Sequence, residues 1–169
     1  MSHKIIKATP SDYKILSNLC HEIYPQTYSD WWYDGGEWYM ETMYNQEKML
    51  VELMDNNTEF YFLSINEAIC GYLKISHFFK NEPDSFEIER IYLNQTIARK
   101  GFGNSLLNFG IELARSFNRK TVYLKVMASG TGQIRFYEKS GFETISSELL
   151  PFELLKTNNR ILNTMKKNL

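Results

Sequence analysis

Arg99-Lys100-Gly101-Phe102-Gly103-Asn104-Ser105-Leu106-Leu107 (RKGFGNSLL) decides how this chain is read, because it lies between a strand-like run and a helix-like one. Upstream, FEIERIYL at 86–93 alternates Phe86 and Ile88 with Glu87 and Glu89, then ends in Ile91, Tyr92 and Leu93. Downstream, Leu106, Leu107, Gly110, Ile111, Ala114 and Phe117 form the stripe of an amphipathic helix, which closes at Asn118, a residue suited to a C-terminal cap. The residues leading into that helix include no Ser, Thr, Asp or Asn to satisfy its first amides. Two glycines let a ligand approach the backbone, and the helix dipole together with Arg99 and Lys100 adds positive potential, so the loop suits a phosphate or pyrophosphate. A Walker A loop would need Lys-Ser/Thr after its last glycine, where Asn104 and Ser105 stand, and a dinucleotide fingerprint would need a third glycine at Leu106. Taken alone, the stretch reads equally well as a glycine turn that only changes the chain's direction.

Working outward, His3 to Ala8 reads as a first strand. Thr9, Pro10, Ser11 and Asp12 open a helix that carries Tyr13, Leu16, Leu19, Cys20 and Ile23 on one face and runs to about Tyr24. The aromatic, turn-rich YPQTYSDWWYDGG follows, and a second helical pattern passes through Met40, Met43, Met49, Leu50 and Leu53. Strands EFYFLSI at 59–65 and ICGYLKISHF at 69–78 are joined at hairpin length by Asn66, Glu67 and Ala68. Beyond the long helix, TVYLKVMA at 121–128 reads as a strand and TGQIRFYEKSG as a short helix ending at Gly141, with FETISSEL and RILNTMKK as closing strands. The order β-αα-βββ-α-β-α-ββ predicts an α/β fold with a mixed sheet.

Composition narrows the classes. A chain of 169 residues, 43% hydrophobic and 23% charged, fits one globular domain and no disordered or repetitive class. With 11 Tyr, 11 Phe and 3 Trp, it has aromatic surface to spare for a cavity. Nineteen Lys+Arg against 20 Asp+Glu, with no basic block, disfavours nucleic acid. No apolar signal core opens the sequence and no long uncharged apolar run crosses it, so the expectation is a cytoplasmic protein with no membrane segment. Cys20 and Cys70 form no CxxC, and His3, His21 and His77 have no partner at ligand spacing, so no metal is expected. Neither GxSxG nor HExxH occurs, which leaves a hydrolase triad or a zinc protease without support.

The run ERIYLNQTIARKGFGNSLLNFGIELA, followed by a strand and RFYEKSGF, resembles the GCN5-related N-acetyltransferase (GNAT) superfamily, well over residues 86–142 and in element order over the whole chain. The resemblance implies a single GNAT domain over 1–169, with a mixed, mostly antiparallel central sheet flanked by helices, and acetyl-CoA as co-substrate. In that family a Gln/Arg-x-x-Gly-x-Gly/Ala loop holds the cofactor's pyrophosphate, and Ala98 to Gly103 matches it at both glycines, with Ala98 where Gln or Arg is usual. By similarity, the cofactor segment is Arg99, Lys100, Gly101, Phe102, Gly103, Asn104 and Ser105, with the phosphates at the amides of Arg99, Gly101, Gly103 and Asn104. The pantetheine arm would run beside Ile91, Tyr92 and Leu93 like an added strand, and near Gln133. Gly132 stands where related enzymes often carry an Asn that contacts the arm. Glu-Arg-Ile-Tyr and Phe-Tyr-x-x-x-Gly-Phe resemble bacterial spermidine/spermine and other small-amine acetyltransferases more than ribosomal-protein ones.

An alkyl amine of pKa about 10.4 is protonated at neutral pH and must lose a proton before it attacks. Glu89 is the candidate acceptor of that proton, with Glu87 on the same face as a substrate contact, against the plain alternative of strand glutamates facing water. Tyr137 matches the tyrosine that protonates the leaving thiolate in related enzymes, and amides around Leu93 would polarise the thioester carbonyl. The resemblance places the amine site in the helix-loop-helix, where Tyr28, Trp31 and Trp32 stand among Glu22, Asp30, Asp34 and Glu37. Aromatics mixed with carboxylates suit a cation such as a polyamine; the same aromatics also suit a cover for the sheet or a dimer contact. Since neither cysteine lies in the motif region, the expectation is direct transfer to a small-molecule amine. A protein N-terminus or lysine as acceptor, and a non-catalytic acyl-CoA-binding regulatory module, are the alternatives. A homodimer is carried by analogy with the family.

Overall fold

Runs of β-branched and aromatic residues put every strand into one sheet, in the order β1-β2-β3-β4-β5-β7-β6. The computed structural model describes residues 3–80 and 82–169. Its strands are β1 (His3–Lys7), β2 (Thr58–Ile65), β3 (Ala68–Ser76), β4 (Ser85–Leu93), β5 (Thr121–Met127), β6 (Glu143–Leu149) and β7 (Ile161–Asn168). The helices are α1 (Tyr13–Tyr28), α2 (Glu37–Met43), α3 (Gln46–Met54), α4 (Phe102–Ser116) and α5 (Thr131–Lys139). Every neighbouring strand pair is antiparallel except β4 with β5. The mixed sheet flanked by helices is the architecture expected from the sequence.

Two helix boundaries differ from that expectation. The first helix passes through Pro25 and continues to Tyr28 instead of stopping near Tyr24. A proline this late costs one backbone bond, and the burial of Cys20, Ile23 and Tyr24 against the sheet holds the turn in place. The second helical pattern is two helices, because Asn45 breaks it and caps α3 by accepting the Lys48 amide at 2.8 Å. Asn118 does close α4, in the left-handed conformation at φ 56°.

The placement of the site depends on one irregularity. Lys74 of β3 pairs with Arg90, but Ile75 pairs with Ile88, so Glu89 is an extra residue bulging from β4. The bulge shifts the side-chain alternation: Phe86 and Ile88 share a face with Ile91 and Leu93, while Tyr92 joins the opposite one. One face, covered by α4, packs Leu73, Ile75, Leu106, Leu107 and Val122. The other, under α1 and α3, packs Leu16, Cys20, Phe60 and Tyr72 with Tyr44 and Met49.

Candidate active site

The parallel pair β4–β5 holds together only from Ser85–Thr121 to Ile88–Leu124. Beyond those residues the strands part, and the β4 edge from Glu89 to Leu93 has no strand partner on that side. A cavity of about 240 Å³ occupies the wedge, bordered by Ile91 and Tyr92 on β4, Val126 and Met127 on β5, and Gln133 and Tyr137 on α5. An unpaired edge of this kind takes an extended ligand arm as a sheet takes another strand.

At the end of β4 the chain turns into α4. Gly101 stands at the helix N-cap with φ 90°, a conformation that a side chain would strain, and the space where its Cβ would lie is open. No side chain caps the helix. The amides of Phe102, Gly103 and Asn104 occupy the first helical positions, which have no intrahelical acceptor, whereas the Ser105 amide is already bonded to the Gly101 carbonyl at 3.1 Å. Arg99 and Lys100 are exposed beside them. Free amides, a missing Cβ and two cations fit a diphosphate. The Phe102 ring, by contrast, is buried edge-on to His3, so only its backbone is available there.

Across the cavity stand Tyr24 and Tyr28 of α1, Trp31, Trp32, Tyr39 of α2, and Phe152 from the β6–β7 connection. The connection is fastened to the aromatic segment: Trp32 bridges to Leu155, the Tyr33 amide donates to the Leu154 carbonyl (2.8 Å), and the Lys156 amide donates to the Trp31 carbonyl (2.9 Å). Arg160 braces the loop from within, donating to the carbonyls of Leu155 (2.8 Å) and Glu153 (2.7 Å). Trp32 is buried and donates its Nε1–H to the Tyr24 hydroxyl at 3.0 Å.

The carboxylates divide. Glu89, at the bulge, borders the cavity. One of its oxygens accepts from the Ser76 hydroxyl and the other pairs with Lys74 Nζ at 2.5 Å. Lys74 also reaches Glu52 at 3.2 Å, and Glu52 takes Arg90 through two bonds of 3.0 and 3.3 Å. This buried chain of two acids and two bases is neutral overall. Burial alone would raise the Glu52 pKa, but Arg90 and Lys74 override it and hold the carboxyl below its usual value. Glu87 does not border the cavity; burial first, then the neighbouring Glu89, pushes its pKa up to about 7. Burial raises the Tyr137 hydroxyl well above the ordinary tyrosine value, with Tyr28 adding to the effect, so Tyr137 keeps its proton at neutral pH. Tyr28 itself is pushed up to about 12 by burial and by Tyr39.

Of the residues nominated from sequence, Glu89, Ile91, Tyr92, Gln133 and Tyr137 meet at one cavity, as do Tyr28, Trp31 and Trp32. Leu93 lies just outside it, 3.7 Å from the Cβ position of Gly103. Glu22, Asp30, Asp34 and Glu37 are not among its borders. Glu22 accepts from Asn94 at 2.7 Å, and Asp34 caps the start of α2 through the amides of Gly36 (2.9 Å) and Trp38 (2.8 Å). Sequence reading missed Arg90, Tyr39 and the loop residues Leu150, Phe152 and Leu155. Arg90 had a signal, since two apolar pairs out of phase, Phe86/Ile88 and Ile91/Leu93, mark a bulge. The loop had none. Among the described residues no His, Cys, Asp and Glu cluster could hold a metal, and no helix is long and apolar enough to cross a membrane.

A sequence model of the acetyltransferase (GNAT) family matches residues 18–142, a span that contains the wedge, the glycine loop and most of the aromatic wall. The chain belongs to the GNAT family of N-acetyltransferases. An uncharacterised N-acetyltransferase in the pepI 3′ region of Lactobacillus delbrueckii subsp. lactis is 30% identical over 115 residues, 66% of each chain. The chain spans two thirds or less of the length of the curated relatives it matches. The PaiA N-acetyltransferase of Thermoplasma acidophilum, solved in complex with coenzyme A, superposes over 100% of both chains with a TM-score of 0.83 at 20% identity. The same GNAT fold recurs in a spermidine N-acetyltransferase chimera from Vibrio cholerae and hSSAT (TM-score 0.74, 16% identity, 99% and 96% covered). It also recurs in the ribosomal-protein-S18-alanine N-acetyltransferase of Escherichia coli (0.75, 15%, 99% and 94%). GNAT enzymes use acetyl-CoA, and the wedge and glycine loop fit it by their unpaired strand edge and uncapped amides. Neighbours with such different acceptors share the fold equally, so the fold does not select the amine.

Proposed function

We propose that this GNAT chain transfers the acetyl group of acetyl-CoA directly to the primary amine of a small molecule. The observation that carries the reading is the wedge between β4 and β5, where an open strand edge, Glu89 and the Tyr137 side chain border one cavity beside an uncapped helix start. Acetyl-CoA brings an activated thioester. The amides of Phe102 to Asn104, with Arg99 and Lys100, would hold its phosphates, and the β4 edge from Ile91 to Leu93 its arm.

In the transfer a C–N bond forms as the C–S bond breaks. The ammonium gives up one proton before attack, and the nitrogen loses a second as the amide forms. Glu89 faces the acceptor, but both its oxygens are occupied by Ser76 and Lys74, which suits it to orient the ammonium. Glu87, held near 7 beside Glu89 but outside the cavity border, would receive the proton only through a water. In this reading the two roles are exchanged relative to those expected from sequence, in which Glu89 is the base and Glu87 the contact. Tyr137 supplies a proton to the departing thiolate and recovers one from the nitrogen, leaving one net proton released. Neither cysteine borders the cavity, and Cys20 is buried with its thiol pushed up to about 11 by that burial, which favours direct attack over an acetyl-cysteine path. Mass spectrometry after incubation with acetyl-CoA and a mixture of amines, including spermidine, amino acids and short peptides, tests the reading. Acetylated small amines are expected; acetylation confined to peptides, or no product at all, overturns it.

A further inference from the structure

Resting on that reading, we infer that the acceptor is a monoamine carried on a flat aromatic or similarly apolar body, and not a polyamine. A polyamine keeps one or more additional ammonium groups after its first nitrogen is positioned, and each needs a carboxylate, because a ring face alone returns less than the desolvation of an ammonium costs. The cavity supplies one carboxylate, Glu89. The acids that made the aromatic segment look cation-binding in sequence are used elsewhere, Asp34 as a helix cap and Glu22 on Asn94. The cations at the border are paired as well, Arg90 with Glu52 at 3.0 Å and Lys125 with Glu148 at 2.7 Å, so the border offers an acidic acceptor no excess of positive charge.

What remains is apolar. Tyr28, Trp31, Tyr39, Phe152, Leu155 and Met127 surround the space opposite the β4 edge. Two of the cavity's hydroxyls already accept from a neighbour, Tyr24 from Trp32 at 3.0 Å and Tyr92 from Tyr44 at 3.3 Å. The volume agrees. About 240 Å³ is below the usual range of roughly 300–1,000 Å³ for small-molecule sites, and part of it belongs to the cofactor arm, leaving room for about one ring system. The body would lie among these rings with its amino group toward Glu89.

The test compares kcat/KM, by mass spectrometry of the acetylated product, for tryptamine and 2-phenylethylamine against spermidine, putrescine and ethylamine. An advantage of about tenfold or more for the aromatic monoamines is expected, the usual worth of a filled apolar pocket. Equal or faster turnover of spermidine overturns the inference and leaves acetyl transfer standing. No product from any amine, with coenzyme A still bound by calorimetry, overturns acetyl transfer and the inference with it. Phe152→Ala, read beside the wild type, should raise KM for tryptamine about tenfold while shifting that for ethylamine less; an equal change for both amines would show that Phe152 holds the loop and does not recognise the body.

Discussion

Toward α4 the sheet presents aliphatic side chains, Leu73, Ile75, Ile88 and Leu124 among them, whereas toward α1 and α3 it presents Tyr72, Tyr92, Lys74 and Arg90. The first surface is held mainly by burial, about 25 cal/mol for each Å² removed from water, with the Tyr61 hydroxyl donating to Glu59 at its rim. On the second, each polar group needs a partner. Lys74 and Arg90 share Glu52, the Cys20 thiol donates to the Tyr72 hydroxyl, and Tyr44 donates to Tyr92. The cavity opens at the seam, where Ile91 comes from one face and Tyr92 from the other. The aliphatic face makes the frame, against which Tyr137 also packs, and the tyrosine and charge face carries most of the aromatic wall.

The largest expected effect separates the two faces by pH. Glu52→Ala leaves Arg90 and Lys74 buried without their shared carboxylate and should cost about 3–5 kcal/mol at pH 7. Leu107→Ala, on the other face, should cost about 2–5 kcal/mol through its cavity. The sign distinguishes them. Because the folded Glu52 pKa lies below its unfolded value, its contribution is present above about 4.5 and is lost as pH falls through the folded pKa. Urea unfolding at pH 7 and at pH 4 should show the Glu52 difference shrinking and the Leu107 difference holding. Two parallel pH trends would erase the contrast between the faces.

The frame was legible because its signals are local. Helix α4 announces itself by a stripe and an Asn cap, and the glycine loop by two glycines at a helix start with no capping side chain. The tyrosine face was only half legible. Tyr28, Trp31 and Trp32 were visible as an aromatic cluster, but Phe152 reaches them from a loop fixed by backbone bonds at Trp31 and Tyr33, and no spacing records such a contact. The carboxylates misled for a related reason: whether Asp34 serves a ligand or caps a helix depends on a turn at Gly35-Gly36 that the sequence marks, without saying which oxygen it consumes.

Next in size is chemistry at the seam. Tyr137→Phe keeps the ring against Phe136 and Phe142 and removes only the hydroxyl, so kcat should fall about 100-fold, with acetyl-CoA affinity and melting temperature nearly unchanged. A matching loss of stability would mean that Tyr137 belongs to the frame. Arg160→Ala follows. It removes two charge-assisted bonds from the loop carrying Phe152, each worth up to roughly 1.5–3 kcal/mol, and should raise the amine KM while sparing coenzyme A binding in a calorimeter.

The smallest effect tests whether the polar face is strained for function. Glu87 has a folded pKa of about 7, above the ordinary carboxyl value, because burial and then Glu89 disfavour its charge. Between pH 4.5 and 7 the unfolded chain therefore loses this proton while the folded one keeps it, and stability declines as pH rises through that window. Glu87→Gln escapes the penalty. The variant should match the wild type in stability at pH 4 and exceed it at pH 8 by on the order of 1 kcal/mol, solvent screening included, as read by thermal unfolding at the two pH values. Its pH profile of kcat/KM should lack the rise near pH 7 expected of the wild type. A variant less stable at pH 8 would place Glu87 with Glu52, as a charge the fold relies on, and would return the proton to Glu89.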